Sequence, residues 1–158
     1  MTELSTLYQT DYSAWATRNA ELLRAGRYAE LDVEHLLAEL SDMGKSEQHE
    51  LENRLTILLA HLLKWEYQLT TLSARWREYK GDSWRATIIE QRNRLNTRLK
   101  KSPALNSLLA VTIIEAYAEA MQLASDETQL PIATFPPVCP YSIAQLLDKN
   151  YYPSTFDH

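Results

Sequence analysis

The segment Leu51–Gln68 (LENRLTILLAHLLKWEYQ) is apolar around most of a helical circumference, yet it carries His61 and Lys64. A helix with so little polar face has to be surrounded by other helices, which demands a multi-helix core. A second stretch, Ser83–Leu99, sets Trp84, Ile88, Leu95 and Leu99 on one stripe with Gln91 inside it. Polar groups on a buried face need hydrogen-bond partners, so His61, Lys64 and Gln91 mark either a structural network or a site. The predicted class is all-α: one domain over residues 1–158, a bundle of about five helices with a wrapped tail.

Composition agrees with that class. Only 3 of 158 residues are Gly, which favours helices over turn-rich sheets. A chain of this length removes roughly 70% of its unfolded surface from water, enough for a core without staples. Cys139 is the single cysteine, so no internal disulfide forms, and a reducing compartment is expected. The N-terminus has no basic region followed by an apolar run, as a secretory signal would. The longest apolar run, Ile57–Leu63, is broken by His61, so no membrane association is expected. These features together predict a cytoplasmic protein.

Local signals place the helices. Asp11 reads as the N-cap of a first helix ending at Gly26, with Tyr12, Trp15, Ala16, Leu22 and Leu23 on its stripe. Asp32 caps a second, in which Val33, Leu36, Leu37, Leu40 and Met43 share the core face up to Gly44. A third runs from Ser46 to Gln68. Gly81-Asp82-Ser83 reads as a turn before a fourth helix over Trp84–Lys100. Ser102-Pro103 starts a fifth that extends to Asp126. Five of the six prolines follow Leu130, where Ser142 caps a short helix. Phe135, Tyr141, Leu146, Leu147, Tyr151 and Tyr152 are too apolar for a loose tail, so residues 130–153 should wrap the 11–129 bundle.

DYSAW, then LDVEHLLAELSDMGKSE through LENRL to HLLKWEYQ, SWRATIIEQR and LPIATFPPVCPYSIAQLLD occur in one order. Together, over Asp11–Tyr152, they resemble the bacterial "domain of unknown function 29" family. That resemblance implies a small all-helical protein and supplies no activity, cofactor or catalytic residue. One departure is visible: LTTLSARWREYKGD, between Gln68 and Ser83, is longer than the family's usual linker.

No catalytic set assembles from the residues. His61 beside Lys64 suits a core histidine better than a general base. His35, Glu39 and Asp42 have metal-like helical spacing but lack a further ligand, and His35 and Asp42 fall opposite the apolar stripe, in water. Turned inward, Glu39 would meet His61 or an arginine of the fourth helix. Cys139, between Pro137 and Pro140, has no cation to lower its pKa and reads as an apolar residue. No phosphate-binding glycine loop occurs, and no metal or cofactor is expected.

The net charge of -5 conceals an asymmetry. Arg75–Lys101 holds nine basic and three acidic residues, leaving seven basic and 18 acidic elsewhere. A basic helix packed beside acidic neighbours explains this better than nucleic acid, whose ligands usually have a basic balance overall. The favoured function is therefore a non-enzymatic interaction or regulatory protein with a protein partner or self-association. A helical enzyme or ligand-binding protein is the alternative, with a polar pocket among Asn19, Glu39, His61 and Gln91 and no assigned catalytic group. A nucleic-acid module using residues 75–101 ranks third.

Leu59 sits in the middle of the most apolar helix, where an aspartate would be buried without a partner. Leu59→Asp is expected to unfold the protein, seen as loss of helical circular dichroism; a variant melting like the parent would misplace the core.

Overall fold

The computed structural model describes residues 2–154, the side chain of Thr70 excepted. Among them are six α-helices and no strand: α1 (Glu3–Thr10), α2 (Tyr12–Arg24), α3 (Val33–Tyr67), α4 (Ala74–Lys101), α5 (Leu109–Thr128) and α6 (Ile143–Leu147). The chain divides into two compact units, Met1–Glu47 and Gln48–His158.

In Met1–Glu47, side-chain caps set the helix starts. Thr2 accepts from the Ser5 amide to open α1, an element absent from the sequence reading, and Asp11 accepts from Ala14 to open α2. Gly26 follows α2 with φ of 71°, a left-handed conformation that a side chain would strain. Trp15, Asn19, Leu22 and Asp32 are the buried residues of this unit. The expected stripe of α2 is only partly inward, since Tyr12 and Leu23 are exposed.

The larger correction concerns α3. The expected break at Gly44 does not occur; the helix runs unbroken for 35 residues. A glycine inside a helix costs only about 1 kcal/mol, and good helix formers on both sides carry the ladder across it. The expected core face is reversed as well: Val33, Leu37, Leu40 and Met43 are 55–63% exposed.

In Gln48–His158, the rest of α3 is the centre of the core. Leu51, Leu55, Leu58, Leu59, Leu62 and Leu63 are each at most 1% exposed. Trp84, Ile88, Leu95 and Leu99 of α4 join them, as the stripe required. Helix α4 begins ten residues earlier than its sequence signal suggested and passes through Gly81. A Cβ there would make an ordinary contact, 3.6 Å from a Leu69 methyl, so this glycine is a tolerated helix-interior residue rather than a turn. The added length absorbs much of the segment that appeared to be a long linker. Ser102-Pro103 opens a 3-10 turn, Pro103–Leu108, before α5. The stretch Pro103–Thr128 is long and apolar enough to cross a membrane by length and composition alone, as core helices can be. Leu109, Ile113, Ala116, Tyr117, Ala120 and Ala124 of α5 are buried.

The tail is ordered against this core. Phe135, Tyr141 and Leu146 are buried, and Ser142 opens α6 with a reciprocal capping box to Gln145. Tyr117 donates from its hydroxyl to the Pro136 carbonyl at 2.5 Å. Arg92, 1% exposed, donates through Nε to the Leu146 carbonyl at 2.9 Å and through Nη2 to Gln145 at 3.1 Å. Tyr152 lies with its ring centroid 5.4 Å from the Arg92 guanidinium. One arginine thus satisfies carbonyls left open at the end of a short helix.

Leu146→Ala is expected to lower stability by about 2–5 kcal/mol in denaturant unfolding. Deletion of everything after Thr134 should lower the melting temperature or cause aggregation. A truncated protein of unchanged stability would make the tail a detachable arm.

Candidate functional site

The four residues of the expected polar pocket each have partners of their own. Asn19 and Glu39 belong to Met1–Glu47, and His61 and Gln91 to Gln48–His158. Asn19 donates to the Trp15 carbonyl at 2.9 Å and accepts from the Asp32 amide at 3.1 Å. Gln91, buried, accepts from Arg54 Nη1 at 3.4 Å. His61 Nδ1 lies 2.8 Å from the Ile57 carbonyl, one turn back on the same helix. A carbonyl only accepts, so Nδ1 carries the proton and Nε2 is the acceptor nitrogen. Burial, with the Lys64 charge adding to it, holds the His61 pKa below its ordinary value. Lys64 itself is 4% exposed and ion-paired to Glu127. Burial, reinforced by Lys80, brings its ammonium down to about 8.

Glu39, expected to turn toward His61 or an arginine, accepts from two tyrosines of its own unit. The Tyr8 hydroxyl donates to Oε1 and the Tyr12 hydroxyl to Oε2 at 2.7 Å. Those two bonds hold the Glu39 carboxyl below the usual range, and the same bond pushes Tyr8 up to about 12. One turn earlier on α3, His35 Nδ1 lies 2.6 Å from Asp32 Oδ2. The Trp15 indole donates to the same oxygen at 2.9 Å. Burial alone would raise the Asp32 pKa, but the Trp15 and His35 hydrogen bonds outweigh it and the net shift is downward. The Tyr8 ring stacks on His35 at 4.0 Å between centroids.

His35, expected on a solvated face from its position opposite the leucine stripe, is instead half-buried and bonded to Asp32. Asp32, His35, Tyr8 and Trp15 form a polar and aromatic layer that sequence reasoning missed. Its one legible trace is Asp32 itself, a helix cap three residues before His35.

The consequence lies on the other side of α3. His35 and Glu39 point to one face, and Val33, Leu37 and Leu40 to the opposite one, with Met43 exposed at the edge between them. The helix turns its polar face to α1 and α2 and its leucines outward. An open groove of about 1160 Å³ lies in the same unit. Leu4, Leu7, Leu22, Leu31 and Val33 line it, with Glu3 and Glu34, with Arg18 paired to Glu21, and with Glu30 paired to Arg27. Val33 belongs to both the groove and the stripe.

Part of the basic segment is engaged within Gln48–His158, while Arg75, Lys80, Lys100 and Lys101 are exposed. Arg94 pairs with Glu90, Arg98 with Glu50, and Arg92 is buried beneath the tail. The Arg85 guanidinium lies 5.3 Å from the centre of the Trp65 ring. Cys139 is half-buried, and burial pushes its thiol up, away from thiolate chemistry.

Tyr8, Tyr117 and Tyr141 all have pKa values raised above the ordinary 10.0, by the Glu39 bond in the first case and by burial in the others. The unfolded chain then loses protons that the folded one keeps, so stability falls as pH rises above about 10. Thermal unfolding should show this fall, with tyrosinate absorbance appearing late in the folded protein. Tyr8→Phe should flatten part of it. Tyrosinate absorbance that titrates fully at the ordinary pKa without unfolding would contradict the arrangement.

Residues 7–152 match a family model described as domain of unknown function DUF29, and the chain belongs to that family. No curated protein and no solved structure matches it.

Proposed function

We propose that this member of the DUF29 family is a protein-interaction module that docks a partner on the outward face of α3. The observation that carries the reading is the reversal of that helix. A stable fold gains by burying leucines and solvating carboxylates, at roughly 25 cal/mol for each Å² of apolar surface removed from water. Helix α3 does the opposite over Val33–Met43: four large apolar side chains stay in water while Asp32, His35 and Glu39 are engaged by α1 and α2. Contiguous exposed apolar faces mark interaction sites. A single cysteine with a raised pKa suits a module working in a reducing compartment such as the cytoplasm.

A second reading, ligand binding or catalysis in a polar site, is favoured by one geometry. Asp32 oriented on His35 Nδ1 at 2.6 Å is the arrangement that makes the far imidazole nitrogen a proton acceptor. It ranks lower because no nucleophile or third ligand joins the pair.

Leu37 and Leu40 can be tested directly. The double variant Leu37→Asp, Leu40→Asp should keep its fold and melt within about 1 kcal/mol of the parent, since both side chains are already exposed. A photo-crosslinking residue at Leu40 should give a discrete adduct in producing cells, and one at Lys45 should not. Loss of folding in the double variant would show that the face serves the protein's own core. Equal labelling at both positions would remove the docking site.

A further inference from the structure

We infer that the occupant of this face is a basic amphipathic helix supplied by a partner protein, an identification that rests on the docking reading. Three observations define what fits.

The first is shape. Val33, Leu37 and Leu40 repeat at i, i+4 and i+7, and the exposed Met43 extends the row by a further turn. The row covers about three helical turns, or roughly 15 Å. Side chains spaced this way present ridges into which the ridges of another helix pack. An extended strand finds no open sheet edge among the described residues.

The second is charge. Residues 1–47 hold nine acidic and four basic residues, a net of -5, whereas residues 48–158 hold twelve of each. The acidity therefore belongs to the unit with the exposed leucines. Glu3 and Glu34 have no ion pair among the described residues. A partner with lysines or arginines beside its apolar row would meet them.

The third is continuity. Val33 leads from the stripe into the groove of about 1160 Å³, where Leu4, Leu7 and Leu22 again lie beside Glu3 and Glu34. Stripe and groove are thus continuous, and the carboxylates at their edge that have no internal ion pair are Glu3 and Glu34, since Glu21 and Glu30 are answered by Arg18 and Arg27. A second copy presenting the same face would bring two units of net -5 together, and like charge opposes that pairing. An anionic lipid surface is opposed in the same way.

The test uses the full chain and two labelled peptides of about 16 residues, long enough to cover the row. Both carry leucine at i, i+3, i+4 and i+7. One has lysine at its polar positions and the other glutamate. Fluorescence anisotropy should show the lysine peptide binding at least about tenfold more tightly than the glutamate peptide, with the preference shrinking at high salt. Leu37→Asp, Leu40→Asp should weaken the lysine peptide by about tenfold or more. That loss is diagnostic, because the added negative charge would strengthen a merely electrostatic contact. Glu34→Lys, which leaves the leucines intact, should weaken it by about threefold or more.

Equal binding of the two peptides, or preference for the glutamate one, would overturn the basic partner while leaving a docking face. Failure of both peptides would overturn the basic helix as well. If the double variant binds the lysine peptide as well as the parent does, the docking reading falls with it. Self-association in analytical ultracentrifugation that the same double variant abolishes would make a second copy the occupant and overturn the proposal.

Discussion

A carboxylate leaves water only if donors surround it, and Asp32 meets that requirement at 8% exposure. The Trp15 indole and the His35 ring both bond its Oδ2, and its backbone amide is bound by Asn19. Trp15 and Asn19 stand one turn apart on α2, so satisfying this one acid draws the inner face of α2 onto the start of α3. Once that contact is made, the side of α3 that meets α2 is the side bearing Asp32, His35 and Glu39. The leucines have nowhere to point but outward. The exposed face is in this sense a product of the buried acid.

The same logic, with the opposite charge, organises Gln48–His158. Arg92 and Lys64 are cations in a leucine-rich core, and each is answered from a distant segment. Arg92 takes the carbonyls at the end of α6, and Lys64 takes Glu127 at the end of α5. Removing either partner would leave a buried charge alone, an expensive state. These pairings therefore select which segments come together, whereas the leucines supply most of the stabilisation without distinguishing among arrangements. Tyr141 adds a further tie, donating to Glu66 at 2.6 Å and fixing the tail ahead of α6.

Both units leave some large apolar side chains in water, Ile114 and Val138 of Gln48–His158 among them, but they differ in the size of the core beneath. In Gln48–His158 the leucines of α3 are sealed and the polar residues among them are paired. In Met1–Glu47 the core is small, built on Trp15 and Leu22, and large apolar side chains remain outside. A unit with that balance gains more from a partner than from further internal packing. Its acidity restricts which partners gain by approaching it.

Much of the fold was legible in the chain. Leu51–Gln68 and the Trp84–Leu99 stripe require a helical core, because only surrounding helices bury an apolar cylinder, and Asp11, Gly26 and Ser142 mark ends through local hydrogen bonds and backbone conformation that depend on few neighbours. Of the candidate site, only its members were legible. Asn19, Glu39, His61 and Gln91 stand out as polar residues in apolar surroundings, but the bonds they make join positions up to 37 residues apart. No local periodicity contains that information. Periodicity also misassigned the stripe at Val33–Met43, since it tells which residues share a face and not which way the face turns. That direction was decided by Asp32, Trp15 and the Tyr8–Glu39 contact, which exist only once α1, α2 and α3 have packed together. Sequence alone determined that this protein is helical and where its leucine rows lie; tertiary structure decided which row became core and which remained open to a partner, because burying a charge is more selective than burying a leucine.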